Sequence, residues 1–447
     1  MNSTTPISEK IRHEIGDFVK TYCNSKIGSR FFLGFSCGVP FLLTLTILDL
    51  WLKSCGVSNT VIGLFSLLHL LPFTLKFLWA PFIDKFNFPI LSKKFGRRRG
   101  WAIASHILLF LGLTGMSLCD PETNLFRLVL CASVVAFADA CQDMSLFAYQ
   151  LDKANDEMLG PIAGVFIFGY RIGTFFSKCI SLYLAHYFGW NTAYSVMAFS
   201  VFVCTFLIFF IDEPRAVKSQ NEEEISSMMK SYKQNIGLKI RFVKTLKATI
   251  FECLICPFRI FMKRDEWKKL IAIVMLFRAG DIMASKMAKP FYVDIGFSTL
   301  EIANVVQVFG TIATLVGGIV GGYLIKKSNI KITMFYSALA HALSCFAFVF
   351  LSIIGHNIYM LCFTVFVENV TGGAMGTAFI AFLYSLCDKK YCATQYALLW
   401  AFYDCGGAIC RAISGALADM IGWTNFFLFI PVMFVPSMLL LRSAMKR

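Results

Sequence analysis

Apolar residues in this chain gather into runs of about 20 or more, the length a helix needs to cross the hydrocarbon core of a bilayer. Twelve such runs predict twelve helices, near 28–52, 57–84, 99–119, 124–150, 160–187, 190–212, 267–293, 299–325, 330–354, 357–386, 392–419 and 422–442. Backbone groups in lipid must be satisfied within the segment itself, so runs of this length are read as helices. The expected fold class is an all-α polytopic membrane protein.

The longest interruption, from Glu213 to Glu266, divides the pattern into six plus six. The expected organisation is an N-terminal segment 1–27, a six-helix bundle 28–212, a linker 213–266, a second bundle 267–442 and a tail 443–447. The halves resemble one another weakly. Tyr149-Gln-Leu-Asp152-Lys153 closes the fourth run as Tyr384-Ser-Leu-Cys-Asp388-Lys389 closes the tenth, 235 residues later. Two six-helix halves around a midplane site is a common transporter plan, and a major facilitator fold is the architecture expected.

Composition agrees: of 447 residues 57% are hydrophobic and 15% charged, with a mean hydropathy of +0.66. A net charge of +15 in a soluble chain would point to nucleic acid, but its distribution does not. The termini and the loops after even-numbered runs hold 33 of the 42 Lys and Arg, the loops after odd-numbered runs hold 2, and 7 lie within runs. The positive-inside rule therefore places both termini in the cytoplasm. The first 27 residues are polar, so the first run is expected to be its own uncleaved signal. In the linker, Glu222 to Glu224 precede a basic stretch carrying Leu238, Ile240, Phe242, Val243 and Leu246, the pattern of an amphipathic helix on anionic lipid or of a solvated connector. The sixteen Cys are mostly scattered through apolar runs and read as reduced. The close pair Cys253 and Cys256 lacks a second ligand pair for zinc, and no metal or cofactor is expected.

Ionisable groups within a membrane are expensive and mark functional positions. Lys76, Arg171, Lys178, Arg278, Lys286, Lys289 and Arg411 are the basic ones, and Asp139, Asp143, Asp281, Glu368 and Asp404 the acidic ones. The cationic surplus suits an anionic solute. Arg278 and Asp281 are spaced to pair, as are Asp404 and Arg411. Lys286 and Lys289 sit near the outer end of their run, where they snorkel. Asp139, Gln142 and Asp143 share one helical face, expected to look into the cavity. Asp143 is the first candidate for a proton carrier, or else the partner of Lys76 or Arg171; Asp281 and Glu368 are the next carriers. Lys76, Gln142, Arg171, Arg278 and Arg411 are expected to hold the solute, and Trp79, Trp400 and Tyr403 offer faces for sugar rings. Asp84 with Arg97, Arg98 and Arg99 is expected to form a cytoplasmic gate. Gly317, Gly318, Gly321 and Gly322 predict close helix packing. The chain holds no Walker loop and no paired metal-spaced His, which argues against ATP-driven transport and against an enzyme.

Several motifs resemble the AmpG-type muropeptide permeases, kin of the acetyl-CoA transporters. They are Leu75-Lys-Phe-Leu-Trp-Ala-Pro81 with Asp84, Gly96-Arg-Arg-Arg-Gly-Trp101, Gln142-Asp143, Gly169-Tyr-Arg-Ile-Gly173, Gly280-Asp281, Val367-Glu-Asn369 with Gly372-Gly373, and Ala393-Thr-Gln-Tyr-Ala-Leu-Leu399. The resemblance spans nearly all twelve runs. It implies a proton-driven importer of GlcNAc-anhydro-MurNAc peptides in a bacterial inner membrane, expected as a monomer. Acetyl-CoA or another nucleotide-linked solute, and a transport-inactive sensor, are the alternative expectations. The chain departs from the family pattern at Phe147 and Gln150, where a second Asp and a Lys are usual, and in helix eleven, where Arg411 is displaced by a turn and Asp404 is additional.

Overall fold

The computed structural model describes residues 25–57, 59–153, 158–211, 213 and 255–445. Glu222 to Glu224, the amphipathic stretch 238–246 and Cys253 lie outside the described residues. The described residues form twelve spans. α1 is broken into Ser25–Phe41 and Thr46–Ser54. α2 runs through Asn59–Leu75, a 3₁₀ turn Lys76–Leu78 and Ala80–Lys85. α3 (Arg97–Ser117), α4 (Pro121–Lys153), α5 (Leu159–Phe188) and α6 (Trp190–Phe209) complete the first six. α7 is broken into Trp267–Leu276 and Ala279–Asp294. α8 begins with Thr299–Ile302, passes through a π-helical segment Ala303–Phe309 and continues as Gly310–Lys327. α9 (Ile330–Ile354) and α10 (Ile358–Leu386) follow. The run Cys392–Met445 divides at Gly422 into α11 and α12.

Among the described residues nine helical stretches are long and apolar enough to span a membrane. The last of them contains both α11 and α12. α2 and α7 are missing from the nine because each is interrupted at a charged residue, Lys76 or Arg278. Pro72 and Pro81 flank the α2 break, where missing N–H groups and ring clashes end regular helix.

The packing of the first six helices recurs six helices later. α1 lies on α5, α3 on α4 and α6, and α2 on α4; correspondingly α7 lies on α11, α9 on α10 and α12, and α8 on α10. Two corner signals share this repeat. Gly189 (φ 84°) turns the chain from α5 into α6, and Gly422 (φ 74°) turns it from α11 into α12. Each glycine precedes a tryptophan whose indole N–H bonds the far end of the first helix of its half: Trp190 to Ser54 Oγ (3.0 Å) and Trp423 to Asp294 Oδ2 (2.9 Å).

Glycines let particular helices meet at backbone distance. A Cβ on Gly34 would lie 2.0 Å from the Phe166 carbonyl, and one on Gly169 would lie 2.0 Å from the Phe31 carbonyl, so α1 and α5 exclude side chains from each other's backbones. In α8, Gly317 and Gly321 abut Val370 and Ala374 of α10, whereas Gly318 and Gly322 face Gly164 of α5. The four glycines thus serve two interfaces, one within the second half and one between halves.

Candidate functional site

The break in α2 carries Lys76 into the interior, where its side chain is only 2% exposed. An ammonium there needs compensation. Asp143 Oδ2 of α4 accepts from Lys76 Nζ at 2.8 Å, and the Tyr396 and Trp400 rings of α11 lie 4.7 and 5.1 Å from the same nitrogen. The ring faces add attraction because their quadrupoles present negative charge to a cation. Asp143 pairs with Lys76 and not with Arg171, and 28% of its side chain stays open. One turn earlier, Asp139 is buried, and its Oδ2 finds no hydrogen-bond partner among the described residues.

The break in α7 does the same for Arg278. Its Nε and Nη2 both donate to Asp281 Oδ2, at 2.9 and 2.5 Å, which bears out the expected pairing. The other oxygen, Oδ1, lies 3.2 Å from His341 Nε2 of α9, and His341 Nδ1 is 2.9 Å from Thr371 Oγ1 of α10. Ligand-type atoms of Asp281, His341 and Glu368 fall within 4.8 Å of one another. A guanidinium committed to Asp281 puts a fixed positive charge in this group, which disfavours a metal cation there. His341 is the main residue that sequence reading missed; a single histidine mid-way along an apolar helix was the available signal.

Arg171 of α5 reaches toward this cluster from the other half. It is exposed, its electrostatic neighbours are Arg278, Asp281 and Tyr403, and among the described residues no carboxylate pairs with it. Two guanidinium groups on opposite halves, one already balanced and one not, make a place for an anionic group. Tyr403 lies beside it, its ring 5.2 Å from that of Trp400 and tilted by 49°, and both rings are part-buried.

At the end of the bundle marked by loop 2–3 the halves are locked. Asp84 Oδ1 accepts from Arg98 Nη1 (2.9 Å) and from the Ala393 amide (3.1 Å), and Oδ2 accepts from the Thr394 amide and hydroxyl (both 2.8 Å). A carboxylate from α2 therefore caps the N-terminus of α11, where orphan N–H groups and the helix dipole favour negative charge. Arg98 Nε also binds Asp152 at the end of α4 (2.9 Å), and Arg97 donates to the Asp84 carbonyl. Behind this latch Phe147 lies between Tyr384 and Tyr396, with ring centroids 4.3 and 3.4 Å away.

The structure corrects several expectations. Gln142 does not face the cavity. It is fully buried between α1 and α3, with its amide nitrogen 3.4 Å from Ser36 Oγ and 3.3 Å from His106 Nε2, because α4 packs on α3 along that face. Arg99 is not part of the latch; it donates to the carbonyls of Ile208 and Phe209 at the end of α6. Trp79 turns to Phe137 (5.1 Å) and offers no platform beside the charges. Asp404 and Arg411 form no ion pair among the described residues, although Asp404 has Lys76 and Arg411 as electrostatic neighbours; the Arg411 guanidinium folds back over Gly407. Lys178 donates to Gln307 of the π-helical segment at 2.9 Å, and Lys286 and Lys289 are exposed, as snorkelling residues are. Sequence reading also missed Ala393 and Thr394 as the real partners of Asp84 across the halves.

A twelve-helix membrane bundle whose interrupted helices carry charges to the interface between its halves is the design of a solute transporter. The Major Facilitator Superfamily model matches residues 29–356 and 270–447. The chain is 30% identical to a protein carrying the AmpG 4 transporter name in Rickettsia felis, covering 96% of this chain and 98% of that one. It is 30% identical to the anhydromuropeptide permease of Escherichia coli K12, covering 92% and 77%. Among solved structures it resembles the fucose transporter FucP in the outward conformation (TM-score 0.64, 14% identity, 95% and 99% covered) and the proton:xylose symporter XylE (TM-score 0.63, 12% identity, 96% of each). The chain belongs to the AmpG-type permeases of the major facilitator superfamily. It is a multi-pass membrane transporter and not an enzyme.

Proposed function

We propose that the chain imports anhydro-muropeptides, GlcNAc-anhydro-MurNAc carrying a short peptide, across a bacterial inner membrane by proton symport for cell-wall recycling. The name of the Escherichia coli relative supports the substrate class. The observation that carries the reading is the facing of Arg171 and Arg278 across the halves, with carboxylates placed beside the cations. Muropeptides bear several carboxylates, and two guanidinium groups match them.

In this reading Asp143 carries the coupling proton. While it is ionised, Lys76 holds it; a proton on Asp143 releases Lys76 toward Trp400, Asp404 or the solute, which is how one site answers both ligands. Asp281 and Glu368 form the second proton-bearing group. The bundles 28–212 and 267–442 are the units that rock, with both termini in the cytoplasm and the linker 213–266 between them. Asp84, Arg98 and the start of α11 form the inner gate, closed in this structure, and the solute enters from the opposite end. The transporter works as a monomer.

The test is uptake of labelled GlcNAc-anhydro-MurNAc-tripeptide into proteoliposomes with and without an inward proton gradient. Wild type should accumulate the solute only with the gradient. The double variant Lys76→Gln with Asp143→Asn, which removes both members of the pair, should bind it and fail to concentrate it. Competition by acetyl-CoA but not by muropeptide would move the substrate to a nucleotide-linked solute, and absence of any flux would leave a sensor or scaffold.

A further inference from the structure

Proton coupling through Asp143, with Asp281 and Glu368 as a second proton-bearing group, leaves His341 without a stated task. Its hydrogen bonds are unusual in that they close for two protonation states. A neutral His341 must present Nε2–H to Asp281, because a carboxylate only accepts, and Nδ1 then accepts from the Thr371 hydroxyl. A protonated ring donates from both nitrogens, and Thr371 needs only to rotate its hydroxyl hydrogen onto the Val367 carbonyl, 2.8 Å away. Neither state strands a polar atom, and no heavy atom has to move.

The charges facing the ring decide which state is favoured. From α7 come Arg278 and Asp281, from α10 Glu368, and from α9 itself the Cys345 thiol. Tyr292 of α7 neighbours Glu368, while Arg171 of α5 and Tyr403 of α11 neighbour Arg278. α12 contributes only the uncharged Phe434 ring, edge-on at 5.7 Å. With Arg278 bound to Asp281 and the imidazole neutral, these three groups carry no net charge. An anion docking on Arg278 draws the guanidinium away and leaves Asp281 negative beside a neutral ring.

The geometry points to His341 as the group that takes up a proton when a solute carboxylate docks on Arg278, so that anion binding and proton binding are linked through Asp281. The inference rests on the reading of the chain as a proton-coupled carrier of anions. The proton comes from water by way of Glu368, which is part-exposed and held by the Asn369 amide at 2.5 Å. An N–H bond forms on the ring as the O–H bond of protonated Glu368 breaks, hydronium from the water restores the Glu368 proton, and the cluster gains one positive charge. Arg278 keeps its protons, and the two new pairs, solute with Arg278 and Asp281 with imidazolium, are both neutral. Because the linkage is reciprocal, losing the proton on the far side weakens the hold on the anion.

Two arms test this on the full chain in lipid nanodiscs. The first is calorimetry with GlcNAc-anhydro-MurNAc-tripeptide in buffers of different ionisation heat, which counts protons taken up per molecule bound. His341→Gln should lower that count by about one while Asp143→Asn leaves this contribution in place; an unchanged count in His341→Gln overturns the inference. The second arm needs no solute: the titration of His341 is followed by NMR of histidine-labelled protein, assigned by the spectrum of His341→Gln. Arg278→Gln, which removes the guanidinium from Asp281 as docking does, should increase the protonated share of His341 at a fixed pH severalfold. Arg278→Lys, which keeps the charge, should return that share toward the wild-type value, and a share indifferent to residue 278 overturns the inference. If the tripeptide does not bind wild type, the proposed substrate is wrong, and the second arm still decides the role of His341.

Discussion

Replacing Asp84 with Asn should open the latch at the loop 2–3 end. The Asp84 carboxylate accepts four hydrogen bonds, three of them from α11: the amides of Ala393 and Thr394 and the Thr394 hydroxyl. Asn supplies one acceptor oxygen and turns an NH2 group toward donors, so one or two of the three cross-half bonds are lost or repelled, depending on which position the NH2 takes. Bonds to a charged group contribute about 1.5–3 kcal/mol each. One or two at the lower figure give ~1.5–3 kcal/mol, an increase of roughly ten- to a hundredfold in the open population relative to the closed one. The native Cys387 and Cys392 flank this contact and are buried, so they report on it. Purified protein is treated with a hydrophilic maleimide, and modification of the two cysteines is timed by peptide mass spectrometry. The Asp84→Asn protein should label at these positions between ten and a hundred times faster, and Thr394→Val, which removes only the hydroxyl bond, should fall between it and wild type. Equal rates in a folded Asp84→Asn protein would show that the capping bonds do not hold the halves together.

Other outcomes follow from the packing. Gln142→Met should leave tripeptide KM and kcat within about twofold, because Gln142 is buried away from the cluster of charges and its side-chain oxygen is already unpartnered; a large rise in KM would return it to the binding site. Gly169→Ala should lower the thermal midpoint sharply or prevent folding, since its Cβ would sit 2.0 Å from a carbonyl oxygen that belongs to α1 backbone and cannot swing aside. Phe147→Ala should destabilise the protein by about 3–5 kcal/mol as measured by thermal unfolding, and it should raise passive leak because the ring plugs the space between Tyr384 and Tyr396. Lys76→Gln alone should impair transport more than the double variant with Asp143→Asn, because the single change strands a carboxylate in the interior.

Most of the architecture was legible because lipid imposes one rule on every span. Long apolar runs gave the helices, and the intramembrane charges gave most members of the central clusters, including the pair of Arg278 with Asp281. The repeat was harder to see from helix ends than from corners: Gly189-Trp190 and Gly422-Trp423 mark it more clearly than the closing tyrosines, since a positive φ and an indole anchor constrain sequence more than a helix terminus does. Burial direction was the weaker inference. Spacing placed Asp139, Gln142 and Asp143 on one face, but that face is wide enough to be divided between a helix neighbour and the open interior. His341 escaped because a neutral imidazole among apolar residues carries no charge signal, and the Asp84 capping bonds escaped because their donors are backbone amides, which any sequence supplies.

The interruption at Lys76 also bears on how the molecule is made. Ribosomes deliver α2 to the membrane well before α4, so for tens of residues of synthesis the ammonium has no Asp143 to meet, and a lone lysine at mid-bilayer costs about 2.5–3.5 kcal/mol on insertion scales. The apolar stretch Asn59–Leu75 must anchor the growing chain while the charged turn waits near the surface or in the insertion machinery. The pair with Asp143 therefore favours the final depth of α2 only from the point in synthesis at which its counter-ion has been translated.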